Sequence, residues 1–101
     1  MNPEQQLFLT LERFPARLTV EQVGWLLGVQ KHDVPILVAG GLLRPLGHPA
    51  PNAPKYFGAA EIETLRLDRK FLDRATRALQ AHWRNRTGRR TGTHSPTTPE
   101  S

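Results

Sequence analysis

The sequence predicts a mainly α fold with minimal β structure, and three observations carry that reading. Two short apolar segments, around Val20–Leu27 and Val34–Ala39, are each closed by glycine and joined through Gly28-Val29. From Ala59 to Arg84 neither Gly nor Pro interrupts the chain. Between these regions, Arg44–Pro54 holds four prolines in eleven residues, which excludes both helix and central strand. At 101 residues the chain suits one small domain, expected over 1–84.

Asn2-Pro3-Glu4-Gln5 reads as a helix start, with Asn2 as cap and Pro3 in the first turn. Leu7, Phe8, Leu11 and Phe14 fall on one helical face, and Pro15 closes the segment. Thr19 and Gln22 then make a capping box, with Leu18 and Val23 placed as a hydrophobic staple. That helix runs through Trp25, Leu26 and Leu27 to Gly28. The next helix starts at Gln30 or at Asp33, and Pro35 favours the later start. Its buried face is Val34, Leu37 and Val38; Gly40-Gly41 ends it, and Leu42 and Leu43 return to the core.

Lys55-Tyr56-Phe57 reads as a short extended segment. A continuous helix over 59–84 would be roughly 39 Å long, too long for a body of this size. Phe71, Leu72, Ala75, Ala78, Leu79, His82 and Trp83 form one stripe, while Ile62 and Leu65 point about 100° away from it. The phase change predicts a kink or a new packing partner near Leu67–Lys70. Asp73 and Arg77 make an i,i+4 pair on the wet face.

Net charge is +5. Residues 1–60 and 61–83 contribute +1 each, and 84–101 contribute +3 through Arg84, Arg86, Arg89 and Arg90 against Glu100. Residues 85–101 are expected to be a disordered basic tail, since Thr, Gly, Ser and Pro cannot offset the entropy of ordering them. A basic chain suits an anionic partner. The absence of Cys excludes disulfides and thiolate chemistry and fits a cytoplasmic location. No apolar run is long enough for a bilayer or a signal peptide, so no membrane role is expected.

Two short helices around a Gly-containing turn are a helix-turn-helix signature. Leu27-Gly28-Val29, then Gly41-Leu42-Leu43-Arg44-Pro45, then Lys55-Tyr56-Phe57 with Glu61-Ile62-Glu63-Thr64-Leu65 follow in order. Over residues 18–68 this resembles the winged helix-turn-helix of MerR-type regulators and phage excisionases. The resemblance implies paired helices at 18–43, a wing at 44–57, a long helix at 59–84 and binding to double-stranded DNA. It implies a transcriptional regulator or an excisionase-like architectural factor. The family usually carries Ser/Thr and Arg on the second helix. Here stand Gln30, Lys31, His32, Asp33, Pro35, Ile36 and Ala39, with Asp33 expected to repel phosphate and Ile36 able to meet a thymine methyl.

The candidate DNA contacts are therefore Gln30, Lys31 and His32 from the second helix and Arg44, His48, Asn52 and Lys55 from the wing. Arg17, and a tail arm of Arg84, Arg86, Arg89 and Arg90, complete the set. Each is also readable as an ordinary exposed polar residue, and the arginines as complements to a helix C-terminus. The first part of the Phe71–Trp83 stripe is expected to pack within the chain. Its Leu79–Trp83 end is open for self-association as a homodimer.

No Ser/His/Asp arrangement, phosphate loop or paired His ligands stand out, so no enzyme activity, metal, cofactor or small-molecule ligand is expected. The competing expectation is a protein-interaction module that keeps the fold without the DNA surface and docks through Pro35, Ile36, Val38 and Leu42.

Overall fold

Capping chemistry sets the helix boundaries. The computed structural model describes residues 2–91, with side chains through Asn85. Helix α1 spans Pro3–Leu9, and the Asn2 side chain accepts a 2.6 Å hydrogen bond from the Gln5 backbone. It stops well before Pro15, because the Thr10 hydroxyl donates to the Leu7 carbonyl at 2.8 Å and closes the last turn. The four-residue apolar face expected here is thereby dismantled. Leu7 is 70% exposed and Leu11 46%. Phe8 is buried, and Phe14 folds back to stack on it at 4.8 Å.

Strand β1 (Arg17–Thr19) pairs antiparallel with β2 (Tyr56–Gly58), with Leu18 opposite Phe57 and Thr19 opposite Tyr56. The period-two alternation turns Leu18 and Phe57 into the core. The Ala59 N–H donates to the Ala16 carbonyl at 2.9 Å and extends the pairing. The extended segment expected at Lys55–Phe57 is thus present one residue later. Its partner is the stretch whose sequence shows only a staple and a cap.

Helix α2 (Val20–Leu27) carries the full reciprocal box: Gln22 N–H to Thr19 Oγ1 at 3.1 Å and Thr19 N–H to Gln22 Oε1 at 3.0 Å. Both staple residues, Leu18 and Val23, are fully buried. Gly28 ends the helix with φ +76°, a left-handed conformation that glycine adopts at no steric cost. Gly24 serves a different purpose. A Cβ at this position would lie 2.9 Å from the Val29 carbonyl oxygen, so only glycine lets the turn close this tightly over α2.

A single 3₁₀ turn, Lys31–Asp33, leads into α3 (Val34–Ala39). Both candidate starts are therefore used: Gln30 opens the tight turn and Asp33 precedes the α-helix, with Pro35 in its first turn. Leu42 and Leu43 both donate backbone hydrogen bonds to the Leu37 carbonyl, and Leu43 is buried. The proline-rich loop is pinned by the Leu46 N–H, which donates to the Tyr56 carbonyl at 2.8 Å.

The Gly- and Pro-free stretch divides into α4 (Ala59–Arg66) and α5 (Arg69–Thr91). The break falls in the expected window, and its cause is Asp68. That side chain accepts from Lys70 N–H at 3.0 Å and Phe71 N–H at 3.3 Å, while its carbonyl accepts from Leu72 N–H. Asp68 is an N-cap that restarts the helix in a new direction. α5 continues to Thr91, so the boundary expected near Arg84 is corrected: residues 85–91 are helical. Positions 92–101, the remainder of the expected tail, lie outside the described residues.

The core joins all these elements. Leu18, Val23, Val34, Leu37, Phe57, Ile62 and Phe71 are its fully buried side chains. Leu72, Ala78 and Leu79 of α5 are half-buried against it. Among the described residues no helix is long and apolar enough to cross a membrane.

Two substitutions test these local causes. Asp68→Ala uncaps α5 and should lower unfolding free energy by about 1 kcal/mol in urea denaturation. Gly24→Ala presses a methyl group into backbone rather than into a movable side chain, and should cost about 1–3 kcal/mol, against a helix-propensity gain in the opposite direction.

Candidate nucleic-acid interface

The β1–β2 pairing sets Thr19 beside Tyr56 and so brings the start of α2 against the end of the proline-rich loop. The reversal at Gly28 carries the 3₁₀ turn back toward the same place. The result is an open groove of about 320 Å³ lined by Thr19, Val20, Glu21, Lys31, Pro54, Lys55 and Tyr56. Lys31 and Lys55, distant in sequence, share it. The Lys55 ammonium lies 3.5 Å from the Pro51 carbonyl oxygen.

Arg17 joins this cluster through Tyr56: its guanidinium carbon lies 4.7 Å from the ring centroid. Such a contact at an exposed site is worth about 0.5–1 kcal/mol and holds the cation at the groove's rim. Lys31 and Lys55 line the groove with one acid, Glu21, and Arg17 stands beside it on Tyr56. Their chemistry is that of an anion-binding surface, with flexible point charges from lysine and a planar donor from arginine.

The remaining expected contacts distribute elsewhere. Gln30 is exposed, but its backbone N–H is taken by Asp33 Oδ2 at 3.1 Å. His32 turns toward α5, its ring edge-on to Trp83 at 5.7 Å. Arg44, His48 and Asn52 are exposed on the loop and none lines the groove. Arg84 is exposed on α5, also apart from the groove. The side chains of Arg86, Arg89 and Arg90 lie outside the described residues. Tyr56 and Glu21 line the groove without having been anticipated. The alternation in Lys55-Tyr56-Phe57 carries the signal for Tyr56, since an inward Phe57 turns its neighbour outward.

Asp33 does not face an approaching phosphate. It is 8% exposed, and its second oxygen accepts a 3.1 Å hydrogen bond from the Trp83 indole N–H. Charge alone suggested a surface position; two donors explain its burial. Trp83 is correspondingly engaged within its own chain, with the His82 ring edge-on at 4.9 Å, and Leu79 packs against the core. At the stripe's end, Leu79 is half-buried against the core, while Trp83 keeps 40% of its surface exposed beside its bond to Asp33. Of the apolar docking face outlined above, Pro35 is exposed and Ile36 half-buried, while Val38 and Leu42 are half-buried against the core. Among the described residues no three His, Asp or Glu side chains converge as metal ligands.

Asp33→Ala should destabilise the fold by about 1–2 kcal/mol, because it strands the Gln30 and Trp83 donors together. Trp83→Phe removes one donor only. A double-mutant cycle between Asp33→Ala and Trp83→Phe should show coupling of at least about 0.5 kcal/mol; additive losses would mean that the bridge carries no stability of its own.

The chain matches no protein-family model, no curated protein and no solved structure with which it was compared.

Proposed function

We propose that this chain is a small non-enzymatic protein that binds double-stranded DNA as a winged helix-turn-helix. In this reading it is a transcriptional regulator or an excisionase-like architectural factor, similar to MerR-type regulators and excisionases. α2 and α3 are the paired helices, and the loop 44–55 with β2 is the wing. The supporting observation is the groove in which Lys31 and Lys55 meet, with Arg17 held beside them on Tyr56. A helix start and a loop presenting cations to one concavity fit a phosphate backbone.

The outward side chains of α3 set the character of this binding. Pro35 and Ala39 are exposed and Ile36 half-exposed, and none offers a hydrogen bond to a base edge. Gln30 is the remaining polar reader beside them. Phosphate contacts therefore dominate, and affinity should fall steeply as salt rises.

The test is fluorescence anisotropy with a labelled duplex between low and physiological salt. Lys31→Ala and Lys55→Ala should each weaken binding several-fold and each reduce the logarithmic salt slope by about one. Unchanged affinity in both would remove the groove from the interface. A full-length variant with Arg84, Arg86, Arg89 and Arg90 all changed to Ala separates the C-terminal arginines from the groove. If the wild-type protein fails to bind at low salt, the interaction-module reading takes over, with the outward Pro35 and Ile36 as its supporting surface.

A further inference from the structure

The charge of residues 61–83 is nearly balanced as a sum, but the break at Asp68 sorts it. Glu61 and Glu63 fall on α4, where Glu63 pairs with Arg66. From Arg69 to Asn85, α5 holds Arg69, Lys70, Arg74, Arg77 and Arg84 against the single acid Asp73. All five cations are exposed. The apolar side of the same helix, through Phe71, Leu72, Ala75, Ala78 and Leu79, packs against the core.

At 100° per residue, Lys70, Arg74, Arg77 and Arg84 fall within about 80° of arc, facing away from that packed side. They extend along about 21 Å of helix at 1.5 Å per residue. Arg77 meets Asp73 at 3.1 Å, an ion pair whose side chains are 77% and 53% exposed, so water screens it and it withholds little from a competing anion. Among the described side chains, none from α5 lines the Lys31–Lys55 groove.

We infer that the outer face of α5 is a second, sequence-independent surface for duplex DNA phosphates, separate from the groove. A row of long cationic side chains along one helix face complements a phosphate backbone by charge, and that attraction is the same on every base sequence. This deepens the DNA-binding reading and rests on it.

The experiment measures the salt slope of full-length protein on a fluorescein-labelled duplex of random sequence. Lys70→Gln with Arg74→Gln removes two stripe cations; Gln keeps helix propensity, and circular dichroism checks the fold. Arg13→Gln with Arg66→Gln removes the same charge from exposed positions outside both surfaces. The stripe pair should lower the slope by about two, and the control pair should leave it unchanged. Equal effects from both pairs, or an unchanged slope in the stripe pair, overturns the inference. Lys31→Ala with Lys55→Ala distinguishes the two readings. If that pair leaves binding intact while the stripe pair lowers the slope, the groove reading fails and the α5 surface stands. If that pair abolishes binding while the stripe pair changes nothing, the α5 surface fails and the groove stands.

Discussion

The Asp33 carboxylate ties the 3₁₀ turn to α5, two parts of the chain fifty positions apart. One oxygen accepts from the Gln30 backbone and so fixes the 3₁₀ turn; the other accepts from the Trp83 indole and so fixes α5 against it. The turn is short, and α3 after it is only six residues long. A helix of that length does not hold its shape by backbone bonding alone. Its orientation is set by packing through Val34 and Leu37 from below and by this carboxylate from the side. Lys31 sits within the same turn, so the position of this groove cation depends on a contact with a helix whose described side chains line no part of the groove.

The two-stranded sheet does the complementary work on the other wall. It is only three residues long on each side, yet it buries Leu18 against Phe57 and sets Tyr56 outward beside Thr19. Tyr56 then organises Arg17 above its ring, while the neighbouring Lys55 reaches the groove. The proline-rich loop needs no secondary structure of its own to present that lysine. Its ends are fixed by the Leu46–Tyr56 backbone bond and by β2, and its prolines restrict what lies between.

What was legible in the sequence followed the range of the interaction. The capping box at Thr19 and Gln22, the left-handed stop at Gly28 and the Asp73–Arg77 pair all lie within four residues, and each is present. The phase shift between Ile62 and the Phe71 stripe located the helix break, while the agent, the Asp68 cap, went unread because no glycine or proline flags it. The sequence makes α1 too long because apolar spacing at Leu7 and Leu11 continues past the point where Thr10 turns the chain. The surface position that charge predicts for Asp33 fails for a different reason. Its partner Trp83 is fifty positions away, and an isolated acid on a basic chain reads as solvated until the second donor is seen. The groove is half legible: charge marks Lys31, Lys55 and Arg17 as candidates, but only the strand pairing between residues 17–19 and 56–58 and the reversal at Gly28 show why they meet.

The same contrast governs how charge should be read. Summed over a segment, the charge of residues 61–83 is +1 and suggests nothing beyond a solvated helix. A helix break inside that segment changes the meaning of the sum, because acids and bases on separate rods no longer offset each other at the scale over which a partner approaches. Screening in physiological salt has a length of about 8 Å, shorter than the roughly 21 Å of the α5 row. An anion near the middle of that row responds to Arg74 and Arg77 and their immediate neighbour Asp73, and hardly to Glu61 or Glu63 beyond the break. Local charge density on an exposed face, rather than net charge along the chain, is therefore the quantity that decides whether α5 is an inert surface or a contact one.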